Sequence, residues 1–206
     1  MGSEDLFKKI RREKRVRKEN IRKLAPYRYL IVCEGKKTEP NYFQGIKKNI
    51  DKNFSDKVRI EQKIELDIEG VGRNTKSLVC YVEYLRSKAS IPYGHIWIIF
   101  DKDDFSDDQF NGAIEQAVSN GYHVGWSNEA IELWFLLHFE YLIAGIDREQ
   151  YCEKLSDYFT KYNIGSGKYR KNMENIFEIL RDYGDMDKAV LRSKKLLDAH
   201  NERFLN

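Results

Sequence analysis

Long apolar runs and paired cysteines are both missing from this chain of 206 residues. No apolar stretch approaches the roughly 20 residues that a membrane-spanning helix requires, and no apolar region of a signal peptide follows the basic N-terminus. The three cysteines, Cys33, Cys80 and Cys152, are far apart and show neither a CxxC nor a Cys/His spacing, so no zinc site or disulfide framework is indicated. We therefore expect a soluble, cytoplasmic protein that binds no membrane.

A phosphate-binding Walker loop is also absent. The sequence GSGKY at 165–169 lacks the spacing and the preceding strand of that motif, so this chain is not expected to hydrolyse ATP itself. Repeats and low-complexity tracts are absent too, apart from the charged N-terminus.

The charge of the chain is concentrated at one end. The net charge is only +3, but residues 1–24 contain ten Lys or Arg and four Asp or Glu, which leaves the rest of the chain net acidic. A basic segment of this kind is typical of an arm that contacts nucleic-acid phosphates. It is equally typical of a solvated helix, since Lys, Arg and Glu favour helices. Residues 1–25 are thus interpreted as a basic helical N-terminal segment, with both roles open.

The pattern of apolar residues predicts an α/β core over residues 26–145. Apolar or alternating runs predict strands over 29–33, 58–70 (as one strand or two), 95–100 and 122–127. Helical patterns lie between and after them, over 40–49, 75–87, 107–120 and 128–142. This alternation predicts a mostly parallel sheet flanked by helices. Residues 146–206 are helical throughout, near 148–162, 172–183 and 186–203, and are expected to form a C-terminal helical extension packed on the core.

Acidic residues follow two of the predicted strands where each strand ends. Glu34 comes directly after YLIVC, and Asp101 and Asp103 follow HIWIIF. Because the carboxyl ends of parallel strands share one edge of a sheet, these carboxylates are expected to meet where such folds bind ligands. Acidic residues after strands also cap helices, as Asp107 is expected to do. The arrangement of Glu34, Asp101 and Asp103 nevertheless favours a site for Mg²⁺ or Mn²⁺, which prefer oxygen ligands.

Three blocks of the sequence resemble the RloB-like proteins, which belong to the Toprim group with topoisomerase, primase and OLD-type nuclease domains. The blocks are YLIVCEGKKTEPNYF from residue 29, WIIFDKDDF from residue 97 and SNEAIELWFLLHF over 127–139. The first and third are specific, whereas the aspartate pair of the second is generic. The sequence departs from the family pattern at Glu129-Ala130, where a proline and a small residue are expected, and the C-terminal helices resemble the family's in kind only.

The resemblance implies a Toprim-like fold and a metal-dependent nuclease of bacterial and archaeal defence loci, often encoded near an ATPase partner. It implies that Glu34 acts as a ligand or general acid–base group and that Asp101 and Asp103 bind the metal. Glu132 is a further candidate for catalysis and for a second metal, or else a glutamate on a helix surface. The expected substrate is RNA, such as tRNA, or DNA.

Other residues are weaker candidates. Lys36, Lys37, Asn128 and Arg170 are candidates for substrate binding, although lysines after a strand are commonly just solvated. Lys168 is a candidate catalytic residue that would stabilise transition-state charge.

Two further residues have alternative interpretations. Glu39 either joins the acidic site or interacts only with the first turn of its own helix, which the helix dipole favours. His138 lies in an apolar helix and is expected to be a core histidine rather than a base.

Two other functions are compatible with parts of the pattern. A non-catalytic nucleic-acid-binding subunit would use the basic N-terminus and leave the acidic residues a structural role. A phosphatase of the haloacid-dehalogenase type would also have DxD after a strand, but here DxD comes after two other strands and the Glu34-Gly35 turn, which disfavours that class. A topoisomerase would need strand-passage domains for which the chain has no room. The helical extension is compatible with a homo-oligomer.

Overall fold

A computed structural model describes residues 27–54, 64–72, 75–102 and 106–204. The predicted basic segment, the first part of the 58–70 strand prediction and Asp103 lie outside the described residues. The domain boundaries predicted near residues 25 and 145 stay predictions.

Within the described residues, the sheet contains four parallel strands in the order β2-β1-β3-β4. The strands are β1 Arg28–Cys33, β2 Glu65–Gly70, β3 His95–Lys102 and β4 His123–Asn128. The last four residues of β1 are buried, as the uninterrupted apolar run of a central parallel strand predicts. The predicted α/β architecture with a mostly parallel sheet is therefore confirmed.

Helices alternate with the strands and then continue alone to the C-terminus. They are α1 Thr38–Phe54, α2 Thr75–Lys88, α3 Asp107–Ser119, α4 Glu132–Leu137, α5 Arg148–Lys161, α6 Ile176–Tyr183 and α7 Met186–Phe204. The predicted run of C-terminal helices is confirmed. In the described part of the chain, none of the helices has the length and apolar character needed to cross a membrane.

Two local helix predictions are wrong. The helix predicted over 128–142 is reduced to α4, which ends at Leu137. It starts late because Glu129 has a φ of 62°, a left-handed conformation that a right-handed helix cannot contain. Asp107 was expected to cap its helix, but the cap of α3 is Ser106, whose hydroxyl accepts a hydrogen bond from the Gln109 N–H at 3.4 Å. Asp107 lies in the first turn instead and pairs with Lys102 Nζ at 2.7 Å.

The two faces of the sheet pack against different helices, because side chains alternate along each strand. Even-numbered residues of β1 and β3 form a buried cluster with residues of α2 and α3. Odd-numbered residues such as Ile31 and Cys33 pack with residues of α1. A third buried cluster joins α1 to α4, α5 and α6. Gly45 permits the close approach of α1 and α6, since a Cβ there would collide with the side chain of Phe177.

Candidate active site

Glu34 and Asp101 lie side by side at the carboxyl edge of the sheet. Glu34 follows β1, and its N–H donates to the carbonyl of Ile99 in β3 at 2.8 Å. The N–H of Asp101 lies 3.4 Å from Glu34 Oε2 and donates to it. Both residues are half-buried. The adjacency of β1 and β3 thus brings together two acidic residues that are 67 positions apart in the sequence.

Glu34 and Asp101 carry the kind of donor atom that a hard divalent cation binds. Two carboxylates supply the oxygen ligands that Mg²⁺ and Mn²⁺ prefer, and Mg²⁺ commonly keeps several waters when one or two carboxylates bind it. Asp103 is outside the described residues, so its role as a third ligand stays a prediction. Within the ranges that the structure describes, no group of three or more His, Cys, Asp or Glu side chains is placed to hold a metal.

Glu39 is a buried carboxylate that folds back onto the turn after Glu34. It lies in the first turn of α1 and is 6% exposed, and its Oε1 accepts a hydrogen bond from the Gly35 N–H at 3.1 Å. A Cβ on Gly35 would overlap the Glu39 carboxylate. The absence of a side chain at Gly35 therefore leaves room for the Glu39 carboxylate in this position.

Glu132 is a second buried carboxylate, close enough to Glu39 to affect its protonation. It begins α4 and is only 2% exposed, so its alternative interpretation as a helix-surface glutamate is wrong. Tyr169 donates its hydroxyl hydrogen to Glu132 Oε1 at 2.9 Å. Burial raises the pKa of Glu39, and the negative charge of Glu132 raises it further, while backbone hydrogen bonds and Lys171 oppose the shift.

Cys33, the last residue of β1, is close enough to both Glu39 and Asp101 for their charges to act on its thiol. Burial raises the pKa of its thiol, and the charges of Glu39 and Asp101 raise it further. Both carboxylates therefore lie near the end of β1. We refer to Glu34, Glu39, Asp101 and Glu132 together as the acidic centre. Negative charge concentrated in a partly buried site of this kind favours bound cations or protons.

The substitution Glu39→Gln is expected to stabilise the metal-free protein at pH 7. The folded-state pKa of Glu39 is raised above its ordinary value of 4.5, so folding takes up protons and the wild type loses stability as pH rises through the window above that value. Gln keeps an oxygen that can accept from the Gly35 N–H. Its advantage over the wild type should shrink as pH falls below the ordinary value of 4.5, because Glu39 then becomes protonated in both the folded and unfolded states.

Urea unfolding in EDTA across this pH range measures the difference. Glu115→Gln, on an exposed position of α3, is the matched control and should show no such pH-dependent gain. A stability difference between Glu39→Gln and the wild type that is independent of pH would contradict the raised pKa.

The loop between α5 and α6 is fixed against the first turn of α1. Thr38 Oγ1 donates to Asn172 Oδ1 at 3.2 Å, and Asn41 Nδ2 donates to the Asn172 carbonyl at 3.0 Å. This contact brings Tyr169 and Lys171, from the same loop, to the acidic centre. The C-terminal part of the chain therefore completes a site whose other residues come from the sheet, α1 and α4.

A family model described as RloB-like protein matches residues 29–204. The chain belongs to the RloB-like protein family. The match confirms the resemblance carried by the three sequence blocks and extends it from β1 through the C-terminal helices. No curated protein and no solved structure shows a significant match to the chain.

Several predicted residues of this RloB-like protein lie at its surface. Lys36, Lys37, Lys168 and Arg170 are exposed, and their roles in substrate binding or catalysis stay predictions. Asn128 ends β4. Burial raises the pKa of the Tyr151 hydroxyl, and the side chain of Asn128 opposes that shift. Its role in substrate binding also stays a prediction.

The turn before α4 explains one departure from the family pattern. Glu129 has a φ of 62°, and its N–H donates to the Lys102 carbonyl at 2.9 Å. Proline is restricted to a φ near −65° and has no N–H, so the proline expected from the family could not replace Glu129 in this conformation. His138, further along, is 2% exposed, as expected of a core histidine.

Sequence patterns did not identify Tyr169 and Lys171 of this RloB-like protein as site residues. In the sequence GSGKYRKN, from residue 165, the charges of Lys168 and Arg170 are the conspicuous feature. The signal for Tyr169 is weak, since one buried aromatic in a polar loop resembles any anchoring residue. Its hydrogen bond to Glu132 becomes visible only once the loop is placed on α1.

Proposed function

We propose that this RloB-like protein is a metal-dependent nuclease that hydrolyses phosphodiester bonds of RNA, such as tRNA, or of DNA at the acidic centre. The observation that carries the proposal is the convergence of Glu34 and Asp101 at the carboxyl edge of the sheet. The buried carboxylates Glu39 and Glu132 beside them strengthen it, because burying a charged carboxylate is costly and a bound cation or proton would offset that cost.

The residues present suit the steps of phosphodiester hydrolysis. Glu34 and Asp101, with Asp103 as the predicted third ligand, would hold Mg²⁺ or Mn²⁺, and Glu132 would contribute to a second site. A bound ion of this kind lowers the pKa of water and stabilises charge on the phosphate. Glu39, with its raised pKa, is suited to hold a proton closer to neutral pH than an ordinary carboxyl group.

Basic side chains around the acidic centre would bind the phosphate backbone. Lys171 already acts electrostatically on Glu39, and Lys168 and Arg170 belong to the same loop. Lys36 and Lys37 directly follow the Glu34-Gly35 turn, and residues 1–25 would add further phosphate contacts. This chain has no Walker loop and is not expected to hydrolyse ATP itself. A separate ATPase partner in a defence system would therefore supply the trigger for cleavage.

The proposal is tested by incubating the purified full-length protein with end-labelled tRNA, single-stranded RNA, single-stranded DNA and duplex DNA. Each substrate is offered Mg²⁺, Mn²⁺ or EDTA, with and without a candidate ATPase partner. Cleavage of at least one substrate is expected with a metal and not with EDTA. Binding without cleavage in every condition would favour the alternative, a non-catalytic nucleic-acid-binding subunit.

A further inference from the structure

A cavity of about 470 Å³ lies along β4, the edge strand of the sheet. Its walls come from β4, α4, the 142–145 loop and α7, and we call it the edge pocket. It combines aromatic rings with polar side chains, among them Trp126, Trp134, His200, Asn128, Ser193 and Lys194. Its volume lies within the range of about 300–1,000 Å³ that is typical of small-molecule sites.

The edge pocket begins one strand away from the acidic centre. Ser127 and Asn128 line it, and they pair in register with Asp101 and Lys102 of β3. Neighbouring strands lie about 4.8 Å apart. A strand of nucleic acid with a phosphate at Asp101 would therefore have a nearby base within reach of the pocket.

The chemistry of the pocket walls matches a nucleobase. Bases stack on aromatic side chains, and the ring of His200 meets Trp126 edge-on with 5.8 Å between ring centroids. Asn128, Ser193 and Lys194 supply polar groups that can hydrogen-bond to the edge of a base. Over residues 186–200, α7 carries four basic and two acidic side chains, a charge that complements a phosphate backbone.

We propose that the edge pocket binds an unstacked nucleobase of the substrate strand and thereby selects which phosphodiester bond is presented to the acidic centre. This inference rests on the proposed nuclease function, since the base belongs to the strand that is cut. Enzymes that do chemistry on a base flip it out of the stack into a pocket that reads it by stacking and hydrogen bonds, so a protein pocket can hold an unstacked base.

The test uses Leu197, which lines the edge pocket and is 47% exposed. Leu197→Trp should occupy the volume of the edge pocket with its own indole ring and so exclude a base, without disturbing the core. Leu191→Trp is the matched control, because Leu191 is 54% exposed on the same helix and is not part of the pocket wall. Both variants should unfold at the temperature of the wild type.

Binding is measured in EDTA, where cleavage is prevented, by fluorescence anisotropy with single-stranded RNA and DNA oligonucleotides of about a dozen nucleotides, a length that spans typical sites. Leu197→Trp should bind the preferred oligonucleotide about tenfold or more weakly, as loss of one stacked base predicts, and Leu191→Trp should bind it as the wild type does. An abasic site is then placed at each position of the oligonucleotide in turn. At one position it should abolish the difference in affinity between the wild type and Leu197→Trp. An oligonucleotide with 5-iodouracil there should cross-link to the pocket.

Equal binding by the wild type and Leu197→Trp, cross-links outside the pocket, or no oligonucleotide binding at all would each overturn the proposal. Nucleoside monophosphates are a separate arm: if they occupy the pocket while oligonucleotides do not, the assignment to a substrate strand is wrong. Cleavage with Mg²⁺ is scored independently. Base-dependent cross-linking without any cleavage would support base binding in the edge pocket and contradict the proposed nuclease function. Cleavage with cross-links elsewhere would support the nuclease function and contradict base binding in the pocket.

Discussion

The substitution Asp101→Asn is expected to lower the rate of nucleic-acid cleavage on the order of 10²-fold or more. Asn keeps the size of the side chain but removes the negative charge that would bind a metal beside Glu34, and the loss of such a group commonly costs this much. The backbone N–H that donates to Glu34 Oε2 is unchanged by the substitution, so Glu34 should keep its position. Single-turnover rates with Mg²⁺ on the best substrate measure the effect.

The matched control for this prediction is Asp108→Asn. Asp108 is exposed in the first turn of α3. Its substitution by Asn therefore makes the same chemical change away from the acidic centre. Its cleavage rate should stay close to that of the wild type, and both variants should bind substrate in EDTA. Equal cleavage by Asp101→Asn and the wild type would remove Asp101 from the site.

The contact between Glu34 and Asp101 was predictable because it depends on two features that the sequence displays locally. Each residue directly follows an apolar run that can only be a buried strand. Parallel strands then have to end at the same edge of the sheet. The pairing of β1 with β3 was the remaining uncertainty, and the alternation of strands and helices restricts the possible strand orders to a few.

The proximity of Glu39 and Glu132 was not predictable in the same way. Glu132 reaches the site because the chain turns at Glu129 and begins α4 only afterwards. The apolar periodicity of 128–142 continues across that turn and gives no sign of it. Tyr169 is 37 positions from Glu132, and nothing in the local pattern of a polar loop indicates which helix it contacts.

The cap of α3 shows a smaller version of the same limit. Ser106 and Asp107 are both good capping residues, and sequence preference does not separate adjacent candidates. The structure separates them because Lys102, at the end of β3, lies 2.7 Å from Asp107 and forms an ion pair with it. The cap is therefore Ser106 rather than Asp107, and Asp107 forms an ion pair with a residue outside the helix.

The substitution Phe135→Ala is expected to lower the free energy of unfolding by about 3–5 kcal/mol. Phe135 is fully buried in α4, and its ring lies 5.6 Å from that of Tyr42 and 6.4 Å from that of Tyr169, measured between centroids. Truncation would leave a cavity between α1, α4 and the loop before α6. Urea unfolding at neutral pH measures the loss. Phe54→Ala, at a 50% exposed position, is the matched control and should change stability by about 0.5 kcal/mol or less.

Phe135 also connects the stability of the fold to the geometry of the acidic centre. An isolated helix as short as α4, with six residues, is unstable, so packing has to fix the position of Glu132 at its start. Phe135→Leu, a milder change that should leave the protein folded, is therefore expected to reduce cleavage while Phe54→Leu does not. If Phe135→Ala unfolds like the wild type, or if Phe135→Leu lowers stability without affecting cleavage, then α4 does not depend on this ring to hold Glu132 in place.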